Sequence, residues 1–209
     1  MIVKRVEKIN DGYKFWFDYS VLILAHILLS PFWIILWIII PALIWIDDRG
    51  PIFYRQQRMG RNRKLFNVLK FRTMVINADT IGPSWTTVED PRVTRIGRVL
   101  RKTALDELPE VLNIWKRDMS LVGPRALYVG EQTLLEEQIQ GFEHRLIVSP
   151  GLTGLAQICD TRDIAEDKFY YDMQYIERMS PWLDVCLLVV SVKNTLLSRW
   201  DDRSGKASA

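Results

Sequence analysis

Asp106 and Glu107 are adjacent carboxylates in cationic surroundings: Arg101 and Lys102 precede them, and Arg125 follows the turn Gly123-Pro124. A carboxylate that is to meet a phosphate needs such neighbours, because positive charge offsets the repulsion between two anions. Consecutive helical residues point about 100° apart, so two adjacent acids can face one pocket and serve different tasks. Pro109 is tolerated in a first helical turn and poor deeper inside, which predicts a helix start near Asp106. The free amide groups of such a start bind phosphate. A purely structural account fits the same residues. Thr103 to Asp106 match a loose capping box, and acids in a first turn favour the helix dipole without catalysing anything. Position alone permits both.

The elements that must bring other groups to this pair are short. Ile52 to Tyr54 and Leu65 to Met74 read as extended stretches around the polar turn Gly60 to Lys64. Alternation along Lys70-Phe71-Arg72-Thr73-Met74 sets Lys70 and Arg72 on one strand face, where two cations suit a diphosphate or simply a solvated surface. The basic run Arg55 to Lys64 suits anionic lipid headgroups. It lacks aromatics placed for base stacking, and the net charge of +3 is too small to argue for nucleic acid. Residues 77–91 are polar and turn-rich, which predicts a surface loop able to close over substrate.

The apolar window Tyr19 to Ile46 must position all of this against a bilayer. No Asp, Glu, Lys or Arg lies between Asp18 and Asp47. As one straight helix the window would run roughly 40 Å, longer than the roughly 30 Å hydrocarbon core. Ser30-Pro31 interrupts it near the middle, where proline removes a backbone hydrogen bond and breaks or bends the helix. Ser30 is placed to satisfy a freed carbonyl, and Pro41 to add a smaller bend. Both flanks are basic, with Lys4, Arg5, Lys8 and Lys14 before and Arg49, Arg55 and Arg58 after. Positive charge stays cytoplasmic, so equal claims from both sides favour a segment that enters and leaves by one face. On pattern alone this stands level with a plain span. His26, inside the window and without a visible partner, reads as a neutral histidine bonded locally rather than as a proton relay. Cys159 and Cys186 lack metal or redox spacing and read as buried small apolar residues.

The stretch Arg101 to Arg125, RKTALDELPEVLNIWKRDMSLVGPR, closely resembles the signature of the bacterial sugar transferases, the monotopic phosphoglycosyl transferases. The likeness rests on Leu105-Asp-Glu-Leu108, on the Asn113 to Lys116 helix and on Asp118-Met-Ser-Leu-Val-Gly-Pro-Arg125. Lys70-Phe-Arg-Thr-Met74 resembles a second family motif, and Ser149-Pro-Gly151-Leu-Thr153-Gly-Leu-Ala-Gln157 a third. Tyr170 to Tyr175 resembles a family helix beneath the site. The resemblance runs from about Lys14 to Leu197 with the motifs in order, as in the small catalytic-core form.

That resemblance implies a mostly helical α+β fold. It has a re-entrant membrane helix bent at Ser30-Pro31 within residues 1–48, and a catalytic domain over 49–209 with a small β-hairpin and interfacial amphipathic helices. It implies transfer of a sugar-1-phosphate from a UDP-sugar to a polyprenol phosphate, undecaprenyl phosphate, with release of UMP. Asp106 is then the nucleophile that carries a phosphosugar, Glu107 the general base, and Mg²⁺ is held by Asp106 with the substrate phosphates. Lys70, Arg72, Arg101, Pro124, Arg125, Gly151 and Thr153 match substrate-binding positions. The implied place is the cytoplasmic face of the bacterial inner membrane, with both chain ends cytoplasmic.

Four residues depart from the family pattern: Ala126 for proline, Arg117 for glycine, Ser149 for lysine and Leu155 for tryptophan. None is in the acidic pair, so they bear on substrate choice more than on chemistry. Trp182 to Trp200 mixes an apolar stripe with Asp184, Lys193 and Arg199, which fits a membrane interface or core packing equally. A membrane-anchored nucleotide-sugar scaffold without turnover is the alternative function, with a small transporter subunit behind it. The sugar, the acceptor length and the oligomeric state, including a homodimer, are left open.

Overall fold

The computed structural model describes residues 11–82, 90–160, 164–197 and Trp200. The chain opens with two helices, α1 (Gly12–Leu28) and α2 (Ser30–Asp47), separated only by Leu29. The break falls one residue before Ser30-Pro31, so Pro31 sits in the first turn of α2, where its missing N–H costs nothing. The Ser30 hydroxyl makes no hydrogen bond among the described residues, so it does not compensate the break as expected. α2 continues through Pro41 to Asp47. Each limb is about 26 Å long at 1.5 Å per residue, short of a full bilayer core.

Both ends of this hairpin are fastened to one body. At the start of α1, Lys14 Nζ donates to Asp184 Oδ2 (2.8 Å) and to the Val122 carbonyl (2.7 Å), while Asp18 accepts from the Leu121 amide. At the end of α2, Asp47 accepts from the Ile96 amide (2.9 Å), and Asp48 pairs with Arg72 (2.6 Å). The far tip, with Ile27, Leu28, Leu29 and Phe32, is exposed. The hairpin is therefore re-entrant with respect to the body. His26 bonds the Leu22 carbonyl within its own helix and stacks on Trp33 at 5.0 Å, the local role expected of it.

The body begins with β1 (Phe53–Met59) and β2 (Leu65–Phe71), an antiparallel hairpin pairing Tyr54 with Lys70 and Gln56 with Val68. β1 is longer than its sequence signal, so Arg55 and Arg58, expected to face lipid headgroups, both belong to a strand. A short α3 (Ala78–Ile81) follows, and α4 (Arg95–Thr103) packs against the end of β2. A Cβ on Gly97 would stand 2.0 Å from the Thr73 carbonyl oxygen, so only glycine allows this approach. Residues 83–89, the middle of the expected covering loop, lie outside the described residues. The loop's end is not a solvated surface: Asp90 and Arg92 are buried and paired at 2.7 Å.

After the 3₁₀ turn Leu105–Glu110 come α5 (Val111–Trp115), β3 (Ser120–Val122), α6 (Val129–Gln138) and a further 3₁₀ turn, Phe142–Ile147. β4 (Gly151–Thr153) pairs in parallel with β3, a second small sheet that the sequence pattern did not show. The chain closes with α7 (Leu155–Cys159), α8 (Ala165–Arg178) and α9 (Pro181–Leu196). The main core joins Leu22 of α1 to Phe66, Val68, Ile114, Val122 and Tyr175. A second cluster packs Ile40 and Ile44 of α2 on Phe71 and Leu100, with Leu105 and Leu108 beside them. Full burial of such side chains is worth roughly 1.5–3 kcal/mol each. The segment bearing the acidic pair is thus wedged against the base of the hairpin. Cys159 is exposed and Cys186 half-buried, so neither is the buried residue expected.

Candidate active site

Ala104 takes a left-handed conformation (φ +54°) and turns the chain from α4 into the 3₁₀ segment. The segment starts at Leu105, close to the expected helix start, but the capping box does not form. Thr103 ends α4 instead, its hydroxyl bonding back to the Val99 (3.0 Å) and Leu100 (3.1 Å) carbonyls.

The two acids receive different surroundings from this turn. Glu107 Oε1 accepts from Lys70 Nζ at 2.7 Å and from Arg125 Nη2 at 2.6 Å. Asp106 accepts no hydrogen bond among the described residues and makes no ion pair there, although Lys70, Arg101 and Arg125 all act on it. Burial and the charge of Glu107 push the Asp106 carboxyl up to about 6, against the pull of those cations. Glu107 is equally buried, yet Arg125 and Lys70 hold it well below the usual carboxylate range. The pair thus separates into one ion-paired acid and one acid with no partner among the described residues.

Lys70 is placed by its strand. Asn113 of α5 bonds that strand's edge, donating to the Asn67 carbonyl (2.8 Å) and accepting from the Leu69 amide (3.1 Å). Lys70 also lies 3.2 Å from Glu110 Oε1, a buried carboxylate that the sequence reading missed. Burial pushes Glu110 up to about 7. Its signal was its spacing, one helical turn after Glu107 and on the same side. Arg101 donates from Nε to Thr73 Oγ1 (2.9 Å) and also acts on Asp106.

Arg125 is steadied through its backbone. Its carbonyl accepts from Arg145 Nη2 (2.8 Å), and Arg145 is itself ion-paired with buried Asp172 at 2.7 Å. The Pro124 carbonyl accepts from the Gly151 amide, and Gly123 N donates to the Thr153 carbonyl (2.8 Å). A Cβ on Gly151 would stand 2.0 Å from Gly123 N, so glycine there lets β4 close on the turn that carries Arg125.

Two predicted site residues are held by groups outside the acidic pair. Arg72 lines the same cleft as Lys70, but its guanidinium is fully engaged. All three of its nitrogens are bonded, to Asp48 and to the Asp48 and Pro51 carbonyls, which ties β2 to the end of α2. Thr153 is buried, with Oγ1 2.5 Å from Ser191 Oγ of α9. Asp106, Glu107, Lys70, Arg72, Arg101 and Arg125 lie together on a cleft of about 700 Å³. Arg58, read from sequence as facing lipid headgroups, lines that cleft as well.

Among the described residues no three His, Cys, Asp or Glu side chains are grouped to hold a metal. A Mg²⁺ ion, which keeps several waters and needs few carboxylates when phosphates supply oxygens, fits the unpartnered carboxylate of Asp106. The groups here suit a diphosphate: a partnerless carboxylate flanked by three fixed cations can approach phosphorus without full charge repulsion.

The family model described as bacterial sugar transferase matches residues 9–198. The chain is 36% identical over 196 residues to the undecaprenyl-phosphate galactose phosphotransferase of Salmonella typhimurium, covering 86% of this chain and 40% of that protein. It is 38% identical over 194 residues to the undecaprenyl-phosphate glucose phosphotransferase of Komagataeibacter xylinus, covering 88% and 36%. The exopolysaccharide production protein ExoY of Sinorhizobium fredii is 37% identical over 199 residues, covering 88% of this chain and 85% of that one. The chain therefore spans about two fifths of the length of the first two relatives and most of the third. With the family model matching nearly the whole chain, this protein belongs to the bacterial sugar transferase family.

Proposed function

We propose that this chain transfers a sugar-1-phosphate from a UDP-sugar to undecaprenyl phosphate, releasing UMP, as a membrane step of polysaccharide assembly. The observation that carries the reading is the division within the acidic pair: Glu107 is clamped by Lys70 and Arg125, while Asp106 faces the same cations with no partner. The names of the relatives supply undecaprenyl phosphate as the acceptor and a sugar phosphate as the group transferred, and the UDP donor is the one the sequence resemblance implies.

In the first step Asp106 attacks the β-phosphorus of the donor. The bond from that phosphorus to the bridging oxygen breaks, its electrons stay on that oxygen, and UMP leaves. The product is a phosphosugar joined to the Asp106 carboxylate. In the second step a phosphate oxygen of the lipid attacks the same phosphorus and restores the free carboxylate. Glu107 takes the proton of a singly protonated lipid phosphate. Donor phosphates that bind Arg125 and Lys70 compete for the clamp and release Glu107 for that task. Asp106 would hold Mg²⁺ together with substrate phosphates, and the ion would offset their charge.

The hairpin brings the lipid to this chemistry. Among the described residues, α2 is long and apolar enough for a membrane, and its outward side chains are exposed. With both ends on one body, the hairpin dips into the cytoplasmic leaflet and returns. α9 lies beside the start of α1 with its polar residues Asp184, Ser191 and Asn194 turned inward. Trp182, Val185, Val189, Val192 and Leu196 are turned outward, which suits the interface plane.

The test is covalent trapping. Protein given Mg²⁺ and a panel of UDP-sugars should release UMP and gain the mass of one phosphosugar on Asp106, a gain absent in Asp106→Asn. An adduct that persists in Asp106→Asn overturns the nucleophile. Tight nucleotide-sugar binding with no UMP release would make the chain a binding scaffold.

A further inference from the structure

We propose that Arg58 and Arg125 form a paired-guanidinium site for the phosphate that leaves with the nucleotide. The inference rests on the transferase reading and names how its first product is held.

Side chains alternate along β1, so Arg55 and Gln57 are exposed while Tyr54, Gln56 and Arg58 line the cleft. The Arg58 guanidinium is immobilised there. Nη1 donates to the Ala126 carbonyl (3.1 Å), Nη2 to Gln56 Oε1 (2.5 Å), and the Met59 amide bonds the Leu127 carbonyl. These bonds set Arg58 against the residues that follow Arg125. Its Nε is buried without a hydrogen-bond partner among the described residues, and no carboxylate there lies within ion-pair distance. Burial and the charge of Arg125 both push the Arg58 pKa down. A half-buried cation beside a like charge, with only the more distant pull of Glu131, Glu110 and Glu107, is stabilised when an anion enters between them.

Position assigns the anion. The register of β1 and β2 sets Arg58 opposite Phe66, four residues along the hairpin from the Tyr54–Lys70 pair, and its bond to the Ala126 carbonyl sets it beside Arg125. Arg58 therefore lies on the Arg125 side of the cleft, displaced along the hairpin from Lys70 and the acid it clamps. With the β-phosphorus at Asp106, a diphosphate running toward Arg58 places its α-phosphate there. That phosphate gains negative charge as the bridging bond breaks, and Arg58 offsets it.

Isothermal titration of UMP into the full chain in lipid nanodiscs tests this. Arg58→Gln should weaken UMP binding about 10–100-fold, the range for losing one charge-assisted hydrogen-bonding group. Arg58→Lys, which keeps the charge, should recover part of the loss. A double-mutant cycle separates contact from positioning. In an Arg125→Gln background, removal of Arg58 should still weaken UMP binding by about fivefold or more. If that further loss vanishes, Arg58 acts only by placing Arg125, and the proposal is overturned. Unchanged UMP affinity in Arg58→Gln overturns it too. If the unaltered chain binds no UMP, the transferase reading itself fails.

Discussion

Arg125 Nη2 lies 2.6 Å from the same Glu107 oxygen that accepts from Lys70, while Asp106, one residue earlier, has no partner among the described residues. Two cations fixed on one acid leave the other acid for substrate. Replacing Arg125 by Gln should therefore damage both: the donor loses a phosphate contact, and Glu107 loses the neighbour that holds it ionised. We expect kcat/KM to fall at least about 100-fold, in line with loss of a charge-assisted contact in the reacting state. An Arg125→Gln rate within threefold of the parent would remove the clamp from the mechanism.

Asp106→Asn should inactivate the protein and also stabilise it. The folded carboxyl titrates near 6, above the ordinary value of 3.8. Its protonated form is favoured by folding, so its contribution to stability is present at low pH and lost as pH rises through about 6. At neutral pH the ionised group opposes folding, by roughly 1–2 kcal/mol after allowance for partial solvation. Asparagine removes that charge. Thermal unfolding at pH 7.5 should show a higher Tm for Asp106→Asn, and the gain should shrink toward pH 4.5. A lower Tm at pH 7.5 would contradict the unpartnered state of Asp106.

The same titration sets an acid limit on the first step. Only the ionised carboxylate attacks phosphorus, so the rate of UMP release in a single turnover should fall tenfold per pH unit well below about 6. Glu107, held far below the usual range, contributes no limb there. Quench-flow measurement from pH 4.5 to 8 checks it. A flat profile down to pH 4.5 would mean that Asp106 stays ionised throughout.

Thr153 is expected to serve the fold rather than the substrate. Its hydroxyl is buried against Ser191 at 2.5 Å. Thr153→Val should cost about 1–2 kcal/mol, because the Ser191 hydroxyl is then left unpaired. The donor KM should stay within twofold. A large rise in KM with unchanged stability would return Thr153 to the binding site.

What the sequence could show depended on the range of the interaction. The hinge was legible because Pro31 acts on its own turn, and the structure moves it by one residue, to Leu29. Lys70 and Arg125 were legible as cations near an acidic pair through the family likeness, but their meeting on one oxygen of Glu107 joins residues 37 and 18 positions away. The bonds of Thr153 to Ser191 and of Arg72 to Asp48 were not legible, because these partners reach them only through the packing of α9 and α2. Arg58 and Arg55 look alike in a basic run. Only the two-residue period of a strand extended to Met59 sends one inward and the other out.

The hairpin makes a topological prediction that follows from its two anchored ends. Lys14 holds the start of α1 to Asp184, and Asp47 holds the end of α2 to the Ile96 amide, so residues 11 and 49 lie at one end of the hairpin and Leu28 at the other. With Cys159 and Cys186 replaced by alanine, single cysteines at positions 11 and 49 should react with a membrane-impermeant maleimide only from the cytoplasmic side. A cysteine at position 28 should resist the reagent from both sides, because limbs of about 26 Å end inside a hydrocarbon core of about 30 Å. Leu28→Asp should drive the protein off the membrane, since an ionised group deep in hydrocarbon costs at least about 2.5 kcal/mol. Labelling of position 11 from the periplasmic side would make α1 and α2 one kinked span. Lys14 could not then reach Asp184, and the core shared by Leu22, Phe66 and Val68 would have to come apart.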